Sequence, residues 1–264
     1  MYLHCNFHSD VLGKACGMNI ILPQKVNTQI GMTSSGGRTT YPMLFLLHGL
    51  SDDYTIWMRR TSIERYAAQY NLIIVMPDGG RSFYSDMASG AKYWTFLSEE
   101  LPAILKGFLP VSGKREETFA AGLSMGGYGA LKLGLRKPEQ FGAVAGMSSV
   151  TDVLGFLQRR SKESGDDVEA RSYFGTLDAA PETDDLFALA EKTAKLPEAE
   201  RPKLYQVCGT EDFLYQENIR FRDLLKKLDA FDYIYDEGPG SHSWEFWDCH
   251  IQKILRWLPL PENR

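Results

Sequence analysis

Five short apolar runs, each leading through a turn into a helical pattern, constrain the fold of this chain more than any other feature. They are almost continuously apolar, as expected of strands that are buried on both faces. The runs are residues 43–47, 72–76, 118–121, 141–145 and 204–208, and helical patterns lie between or after them at 62–70, 93–109, 127–137, 215–228 and 244–258. This alternation predicts an α/β fold with a mostly parallel central sheet flanked by helices.

Two segments depart from the alternation. The first forty residues carry β-rich stretches around residues 2–10 and 18–23 without a helix between them, which predicts a hairpin at an antiparallel N-terminal edge. Residues 151–201 are charged and hold no strong strand pattern, although 184–195 reads as a short helix. Because the sheet pattern resumes afterwards, we expect a single domain over residues 1–264, with a small cap-like insertion at 151–201 over the active site.

The composition argues against several classes of partner. A net charge of −5 gives no basic footprint for nucleic acid or an anionic membrane. No apolar run approaches the ~20 residues of a membrane helix, and the first residues do not resemble a signal peptide, so we expect a cytoplasmic protein. Cys5, Cys16, Cys208 and Cys249 are scattered, which favours reduced thiols. The sequence lacks zinc-binding spacings, and we expect neither metal nor cofactor.

A nucleophile elbow is predicted directly after the apolar run at 118–121. There the sequence Gly122-Leu123-Ser124-Met125-Gly126 matches G-x-S-x-G between a strand and a helix. An elbow holds its serine on a sharp, strained turn, and flanking glycines let the chain approach closely. The positive end of the following helix points at the site. The alternative is a glycine-rich turn with an idle serine; we predict that Ser124 is the nucleophile.

A serine hydroxyl needs a neighbouring base, because it is a poor nucleophile at its ordinary pKa. Of the five histidines, His242 alone lies in a loop just before a helix pattern, and it follows the apolar residues 233–235 that predict the last strand. A loop imidazole at the carboxyl end of a strand is well placed to act as base. The alternative for His242 is a capping or surface role.

The base in turn needs an acid that fixes its tautomer. In this type of fold the triad occurs in the order Ser, Asp or Glu, His, and Asp212 lies between the other two, just past the run at 204–208. Glu211 is the nearest rival and Asp178 a remote one. Because a helix pattern begins near residue 215, helix capping is an alternative role for Asp212.

The tetrahedral intermediate needs hydrogen-bond donors for its oxyanion. The amide of Met125, directly after the nucleophile, is one candidate. The second is the amide of Leu50, because Gly49 before it lets the backbone turn its N–H toward the site. Four aromatic residues are candidates for the substrate pocket, with plain packing as the alternative for each: Trp57, Tyr84, Trp94 and Tyr215.

Four motifs together resemble the putative-esterase family over nearly the whole chain. They are His48–Asp53 with Trp57 downstream, Gly122–Ala130, Gly209–Tyr215 and His242–Trp247. This family includes bacterial tributyrin esterases, esterase D (S-formylglutathione hydrolase), feruloyl and acetylxylan esterases, and mycolyltransferases. The resemblance implies the α/β-hydrolase fold and cofactor-free hydrolysis of short-chain acyl (acetyl or butyryl) or aryl esters. It also implies a triad of Ser124, Asp212 and His242, with the Leu50 and Met125 amides as oxyanion hole.

Three alternatives to a short-chain carboxylesterase remain at this point. The same machinery could act on feruloyl or acetylxylan esters or on S-formylglutathione, although the cysteine that S-formylglutathione hydrolases usually carry after the oxyanion-hole glycine and leucine is absent, since Ser51 and Asp52 occupy that stretch. The second alternative is an acyltransferase, and the third is a non-catalytic binding module. The expected partner is a small-molecule ester, and the resemblance implies a homo-oligomer.

Overall fold

A single eight-stranded sheet organises the computed structural model, which describes residues 1–32 and 34–261. The strands are β1 (Tyr2–Ser9), β2 (Lys14–Ile21), β3 (Met43–Leu47), β4 (Ile73–Pro77), β5 (Thr118–Leu123), β6 (Ala143–Met147), β7 (Lys203–Gly209) and β8 (Tyr233–Gly238). Their order across the sheet is β1-β2-β4-β3-β5-β6-β7-β8. From β4 to β8 all neighbouring strands are parallel.

The N-terminal edge of the sheet is antiparallel. β1 pairs with β2 from Tyr2 opposite Ile21 to Ser9 opposite Lys14, and β2 pairs in the same sense with β4. The predicted hairpin is therefore confirmed, and β2 joins it to the parallel part of the sheet.

Helices cover both faces of the sheet. They are α1 (Ile56–Arg60), α2 (Ile63–Ala67), α3 (Tyr93–Thr95), α4 (Leu101–Phe108), α5 (Met125–Arg136), α6 (Val153–Ser164), α7 (Val168–Phe174), α8 (Leu186–Thr193), α9 (Tyr215–Leu228) and α10 (Trp244–Trp257). A π-helical turn over Phe96–Glu100 links α3 to α4, and 3₁₀ turns lie at Arg115–Glu117, Glu182–Asp184 and Glu198–Glu200. Within the described ranges, no helix is long and apolar enough to cross a membrane.

Strand β3 shows why the central strands are continuously apolar. Phe45 belongs to the core on one face of the sheet, whereas Leu44 and Leu46 belong to the core on the other, because successive side chains of a strand point to opposite faces. α4, α5, α8 and α9 supply residues to the first core, and α1, α2 and α10 to the second. The prediction of a mostly parallel sheet with helices on both faces is confirmed.

The segment from residue 151 to 201 contains helices α6, α7 and α8 and no strand. Two side chains of α5 bind the 3₁₀ turn at Glu182–Asp184 in this segment. Tyr128 donates a hydrogen bond to the Asp184 carbonyl at 2.7 Å, and the buried Lys132 ammonium lies 2.7 Å from Asp184 Oδ1. The segment is thus fixed to the helix that begins directly after Ser124.

Candidate active site

Ser124 occupies a strained backbone conformation between β5 and α5. Its φ of 55° and ψ of −119° lie outside the regions that residues with a side chain normally adopt, at a typical cost of about 1–3 kcal/mol. Three backbone hydrogen bonds hold it there: its N–H donates to the Met147 carbonyl at 2.9 Å, and its carbonyl accepts from Tyr128 and Val150. Ser124 is also half-exposed between buried neighbours, as the predicted elbow requires.

Two glycines make room for this turn. A Cβ on Gly122 would lie 2.3 Å from the Gly126 carbonyl oxygen, and a Cβ on Gly126 would lie 2.4 Å from the Leu47 carbonyl oxygen. Real Cβ atoms do not approach backbone oxygens so closely. The first turn of α5 can therefore pack against the end of β3 only because both positions lack a side chain.

The structure brings His242 and Asp212 together. His242 Nδ1 lies 2.9 Å from Asp212 Oδ2 and 3.1 Å from Oδ1. The Asp212 carboxylate is fully buried, whereas the imidazole is partly exposed. An ionised carboxylate can only accept a hydrogen bond, so this contact places the proton of a neutral His242 on Nδ1 and leaves Nε2 free to accept one.

Two aromatic side chains that the sequence analysis did not single out flank the His242 ring. Phe213 lies against it with the ring centres 4.6 Å apart, and Trp247 packs perpendicular to it at 4.8 Å. Trp247 is fixed in turn, because its indole N–H donates to Ser148 Oγ at 3.1 Å. Both aromatics belong to the motifs quoted above. Their short spacing in the chain from Asp212 and His242 is the only sequence feature that could have predicted their place beside the imidazole.

The candidate oxyanion donors are the backbone amides of Met125 and Leu50. Met125 is the first residue of α5, so its N–H has no partner within the helix. Among the described residues, neither the Met125 nor the Leu50 amide donates a hydrogen bond. Gly49 lies close to Ser124, since a Cβ built on it would be 3.8 Å from Ser124 Cβ. Burial raises the pKa of the Asp52 carboxyl in the same loop.

Three of the four aromatic residues predicted for the substrate pocket lie in the interior. Trp57, Tyr84 and Trp94 are only 1%, 1% and 3% exposed, which leaves almost no surface for a ligand. Trp57 and Tyr84 instead support the end of β3, where they donate to the carbonyls of Leu47 and His48. We therefore leave these three out of the proposed pocket.

Trp94 and Tyr215, the other two aromatic residues predicted for the pocket, make polar contacts. Trp94 packs beneath the Arg136 guanidinium, 4.2 Å from the ring centre. Tyr215 is half-exposed and donates a hydrogen bond to Glu237 at 3.0 Å, which raises the pKa of its hydroxyl. Of the predicted pocket residues, only Tyr215 keeps accessible surface close to Asp212 in the chain.

The rival carboxylates are engaged elsewhere. Glu211 accepts a hydrogen bond from the Gly240 amide at 2.7 Å, and Asp178 accepts one from Thr176. One predicted contact is missing: among the described residues, no hydrogen bond links Ser124 Oγ to His242. Catalytic hydrogen bonds are often long in the absence of substrate and shorten when it binds.

A surface cleft of about 1030 Å³ lies away from these residues. It is lined where β5, β6 and β7 begin, at residues such as Glu117, Gly142 and Lys203, so it opens at the opposite edge of the sheet from Ser124. In open α/β sheets ligands bind at the carboxyl ends of the strands, and we therefore place the site at the Ser124 edge and not in this cleft. No group of three or more potential metal ligands occurs in residues 1–32 and 34–261.

Comparison with known proteins gives consistent results across the whole chain. The family model described as "Putative esterase" matches residues 9–258. An acetyl esterase of Caldicellulosiruptor saccharolyticus is 33% identical, with 97% of each chain covered. The chain belongs to the putative-esterase family. The predicted family is therefore confirmed, and this esterase is a serine ester hydrolase.

Solved structures agree on the fold of the esterase. A substrate-bound, fluorophosphonate-binding serine hydrolase of Staphylococcus aureus has a TM-score of 0.86 and 33% identity over 98% of both chains. An S-formylglutathione hydrolase of the same organism has a TM-score of 0.81, also at 33% identity over 98% of both chains. These similarities confirm the predicted α/β-hydrolase fold.

Proposed function

We propose that Ser124, His242 and Asp212 form the catalytic triad of this esterase. The observation that carries the proposal is the His242–Asp212 contact at 2.9 Å, which leaves Nε2 unprotonated at the same edge of the sheet as the strained Ser124. A base oriented in this way is what a serine hydroxyl needs in order to attack a carbonyl carbon. Asp212 stays ionised and stabilises the imidazolium that forms.

The reaction proceeds through two tetrahedral intermediates. His242 Nε2 takes the proton of Ser124 Oγ while that oxygen attacks the ester carbonyl, and the oxyanion rests on the Leu50 and Met125 amides. The same proton passes to the departing alcohol, which leaves an acyl-enzyme. Water then gives its proton to His242 and attacks the acyl carbon, and Ser124 leaves with that proton as the carboxylic acid is released.

The proposed substrates are short-chain acyl esters of the acetyl or butyryl type and aryl esters. The acetyl esterase relative, similar over the full length, supports this choice. S-formylglutathione is the second candidate, favoured by the similarity to a hydrolase of that thioester. Ser51 and Asp52 stand where such hydrolases usually carry a cysteine, so we rank the carboxylic ester first.

We further propose that residues 151–201 act as a cap on a single domain and shape the substrate pocket. α7 meets the loop that follows β4: Ala88 and Ser89 donate hydrogen bonds to the carbonyls of Tyr173 and Ser172. Arg81 in the same loop contacts both the Glu169 carboxylate and the Leu50 carbonyl. The segment is thus connected to the loop that carries the proposed oxyanion donor.

We propose a cytoplasmic location, supported by the four cysteines, which are all free thiols. Cell fractionation with antibody detection tests it. We also propose, from the family resemblance, that the protein forms a homo-oligomer. Sedimentation velocity tests this.

The nucleophile is tested with Ser124→Ala. We expect its hydrolysis of p-nitrophenyl acetate to fall to the residual level of triad-deficient enzymes, and a fluorophosphonate probe to label wild type but not the variant. Mass spectrometry of the labelled digest should place the probe on the peptide containing Ser124. Unchanged hydrolysis by Ser124→Ala would refute the assignment.

The substrate class is tested with a panel of acetyl, butyryl, feruloyl and S-formylglutathione substrates. We expect the highest kcat/KM for acetyl or butyryl esters. A clear preference for the thioester would instead establish the second candidate.

A further inference from the structure

His48, at the end of β3, is a buried histidine that the triad does not use. Its side chain is 1% exposed and makes two hydrogen bonds of 2.8 Å. Nδ1 contacts the carbonyl oxygen of Gly49, and Nε2 contacts the backbone N–H of Gly79 in the loop after β4.

The two partners determine the tautomer, because each can play only one role. A carbonyl oxygen only accepts and a backbone N–H only donates, so Nδ1 carries the proton and Nε2 is the acceptor. Asp78 Oδ1 lies 3.7 Å from Nε2, which is too far for a hydrogen bond. A protonated His48 would gain from that carboxylate but would lose the shorter bond from Gly79. The two hydrogen bonds therefore place the proton of a neutral His48 ring on Nδ1.

The Gly49 carbonyl that His48 holds belongs to the same peptide group as the Leu50 N–H. Peptide groups are planar, and in the trans form the N–H points away from the C=O, so fixing one fixes the other. Every described peptide bond of the chain is trans. A second donor, the Asp52 N–H at 3.2 Å, reaches the same oxygen. The hydrogen bonds to the Gly49 carbonyl oxygen, at the other end of this peptide group, thus set the direction of the Leu50 N–H.

The support behind His48 is rigid. The Tyr84 hydroxyl donates to the His48 carbonyl at 3.0 Å, and the Tyr84 ring lies 6.0 Å from the imidazole. A Cβ on Gly79 would collide with the Tyr84 ring, so the Gly79 backbone is pressed into this layer. The imidazole therefore connects the end of β4 to the Gly49–Leu50 peptide without a flexible link.

We propose that His48 is a positioning residue that aims the Leu50 N–H at the oxyanion through its hydrogen bond to the Gly49 carbonyl. This inference rests on the proposed function, in which the Leu50 amide is an oxyanion donor. His48 touches neither Ser124 nor substrate in this role. It acts on the transition state only, because the oxyanion charge develops there and not in the bound ester.

Three variants separate the two hydrogen bonds of His48. His48→Asn can place its amide nitrogen where Nδ1 was and keep the donor to Gly49, while the Gly79 bond is lost. His48→Gln can place its amide oxygen where Nε2 was and accept from Gly79, while the Gly49 donor is lost. His48→Ala loses both. We expect kcat to fall by roughly 10- to 10³-fold in the Gln and Ala variants, with KM little changed, and His48→Asn to recover most of the loss.

The inhibition constant of a tetrahedral inhibitor distinguishes a positioning role of His48 from a purely structural one, which would leave this constant unchanged. Phenylboronic acid forms a tetrahedral adduct with the serine, so its inhibition constant should rise in parallel with the loss of kcat. Binding of the product carboxylic acid should stay close to that of wild type. Tyr233→Phe is the control for stability: it removes one 2.6 Å hydrogen bond, from Tyr233 at the start of β8 to Gln206 Oε1, and should leave kcat unchanged.

The outcomes distinguish this inference from the proposed function. If Ser124→Ala is inactive while His48→Gln and His48→Ala keep wild-type kcat and boronate affinity, the positioning role is wrong and the triad stands. Asparagine and glutamine variants with equal losses would also overturn it, because the Gly49 donor would then not be the feature that matters. Equal hydrolysis by Ser124→Ala and wild type would refute the proposed function itself.

Discussion

At the scale of single residues, Asp212 combines two roles in one carboxylate. Oδ1 accepts a hydrogen bond from the Leu214 N–H at 2.8 Å just before α9, and Oδ2 lies 2.9 Å from His242 Nδ1. The helix-start role and the proposed acid role of Asp212 are therefore compatible. The bond from Leu214 also holds the carboxylate at a fixed angle, with both oxygens within 3.1 Å of His242 Nδ1.

Replacement of Asp212 by Asn tests the acid. The amide keeps an oxygen for Leu214, but its NH₂ group then faces Nδ1 and favours the tautomer with the proton on Nε2. We expect kcat for p-nitrophenyl acetate to fall by roughly 10⁴-fold. Glu211→Gln is the matched control, since Glu211 bonds Gly240 instead, and it should retain nearly full activity. A large loss in the control with a normal Asp212→Asn rate would transfer the acid role to Glu211.

The sequence predicts the candidate triad residues because each follows an apolar run and they occur in the order typical of this fold. It does not predict the environment of His48. The bond from Gly79 to His48 joins residues 31 positions apart and depends on how two loops meet. The burial of Trp57 and Tyr84 depends equally on packing, so aromatic character alone suggested a pocket where the structure has an interior support.

At the scale of elements, the approach of α5 to β3 determines where Ser124 lies. α5 is glycine-rich in its first turn, which is unfavourable for an isolated helix but lets the helix start against the strand. Its N-terminal N–H groups and positive end then face the Ser124 side of the sheet. The placement of Ser124, the proposed nucleophile, thus depends on small residues in the contact between this helix and strand.

Two glycine-to-alanine changes test this packing. Gly126→Ala puts a methyl group 2.4 Å from the Leu47 carbonyl oxygen, so we expect a loss of about 1–3 kcal/mol in the free energy of unfolding and slower fluorophosphonate labelling. Gly107→Ala, in α4 with nothing within 4 Å, should instead gain about 1 kcal/mol from helix propensity. Urea unfolding measures both. Equal stability of the two variants would contradict the close contact.

Long apolar runs and strongly periodic helices are predicted best from this sequence. The prediction for 43–47 coincides with β3 and that for 215–228 with α9. The pattern at 93–109 is a single helix in the prediction, but the structure interrupts it with the π-helical turn at Phe96–Glu100. The segment before residue 70 contains two short helices, because Thr61 is extended between them. Such local changes of hydrogen bonding leave the spacing of the apolar side chains almost intact, so the sequence pattern does not predict them.

At the scale of the whole molecule, the segment 151–201 is attached to the body by ion pairs whose carboxylates are buried. Lys132 and Asp184 form one, and burial lowers the pKa of Lys132 to about 8. Arg159 of α6 and Glu217 of α9 form another at 2.6 Å. Burial of the Glu217 carboxyl outweighs the guanidinium and raises its pKa to about 7.

The Glu217 shift gives a pH dependence with a definite sign. Between pH 4.5 and about 7 the folded protein holds a proton on Glu217 that the unfolded chain has lost, so this group makes the protein less stable as pH rises. Glu217→Gln mimics the protonated acid at every pH. We expect the unfolding free energy of wild type, relative to the variant, to fall by about 3 kcal/mol over that interval in urea titrations. A difference that stays constant with pH would show that Glu217 ionises normally.

The candidate triad is spread over three strand ends, and this has a consequence for the order of events during folding. Ser124 follows β5, whereas Asp212 and His242 follow β7 and β8, about 90 and 120 positions later in the chain. A growing polypeptide exposes Ser124 long before the proposed base has been synthesised. The proposed triad therefore predicts that the hydroxyl stays unreactive until the last parallel strands have paired, so that regain of esterase activity during refolding reports the closure of the far edge of the sheet.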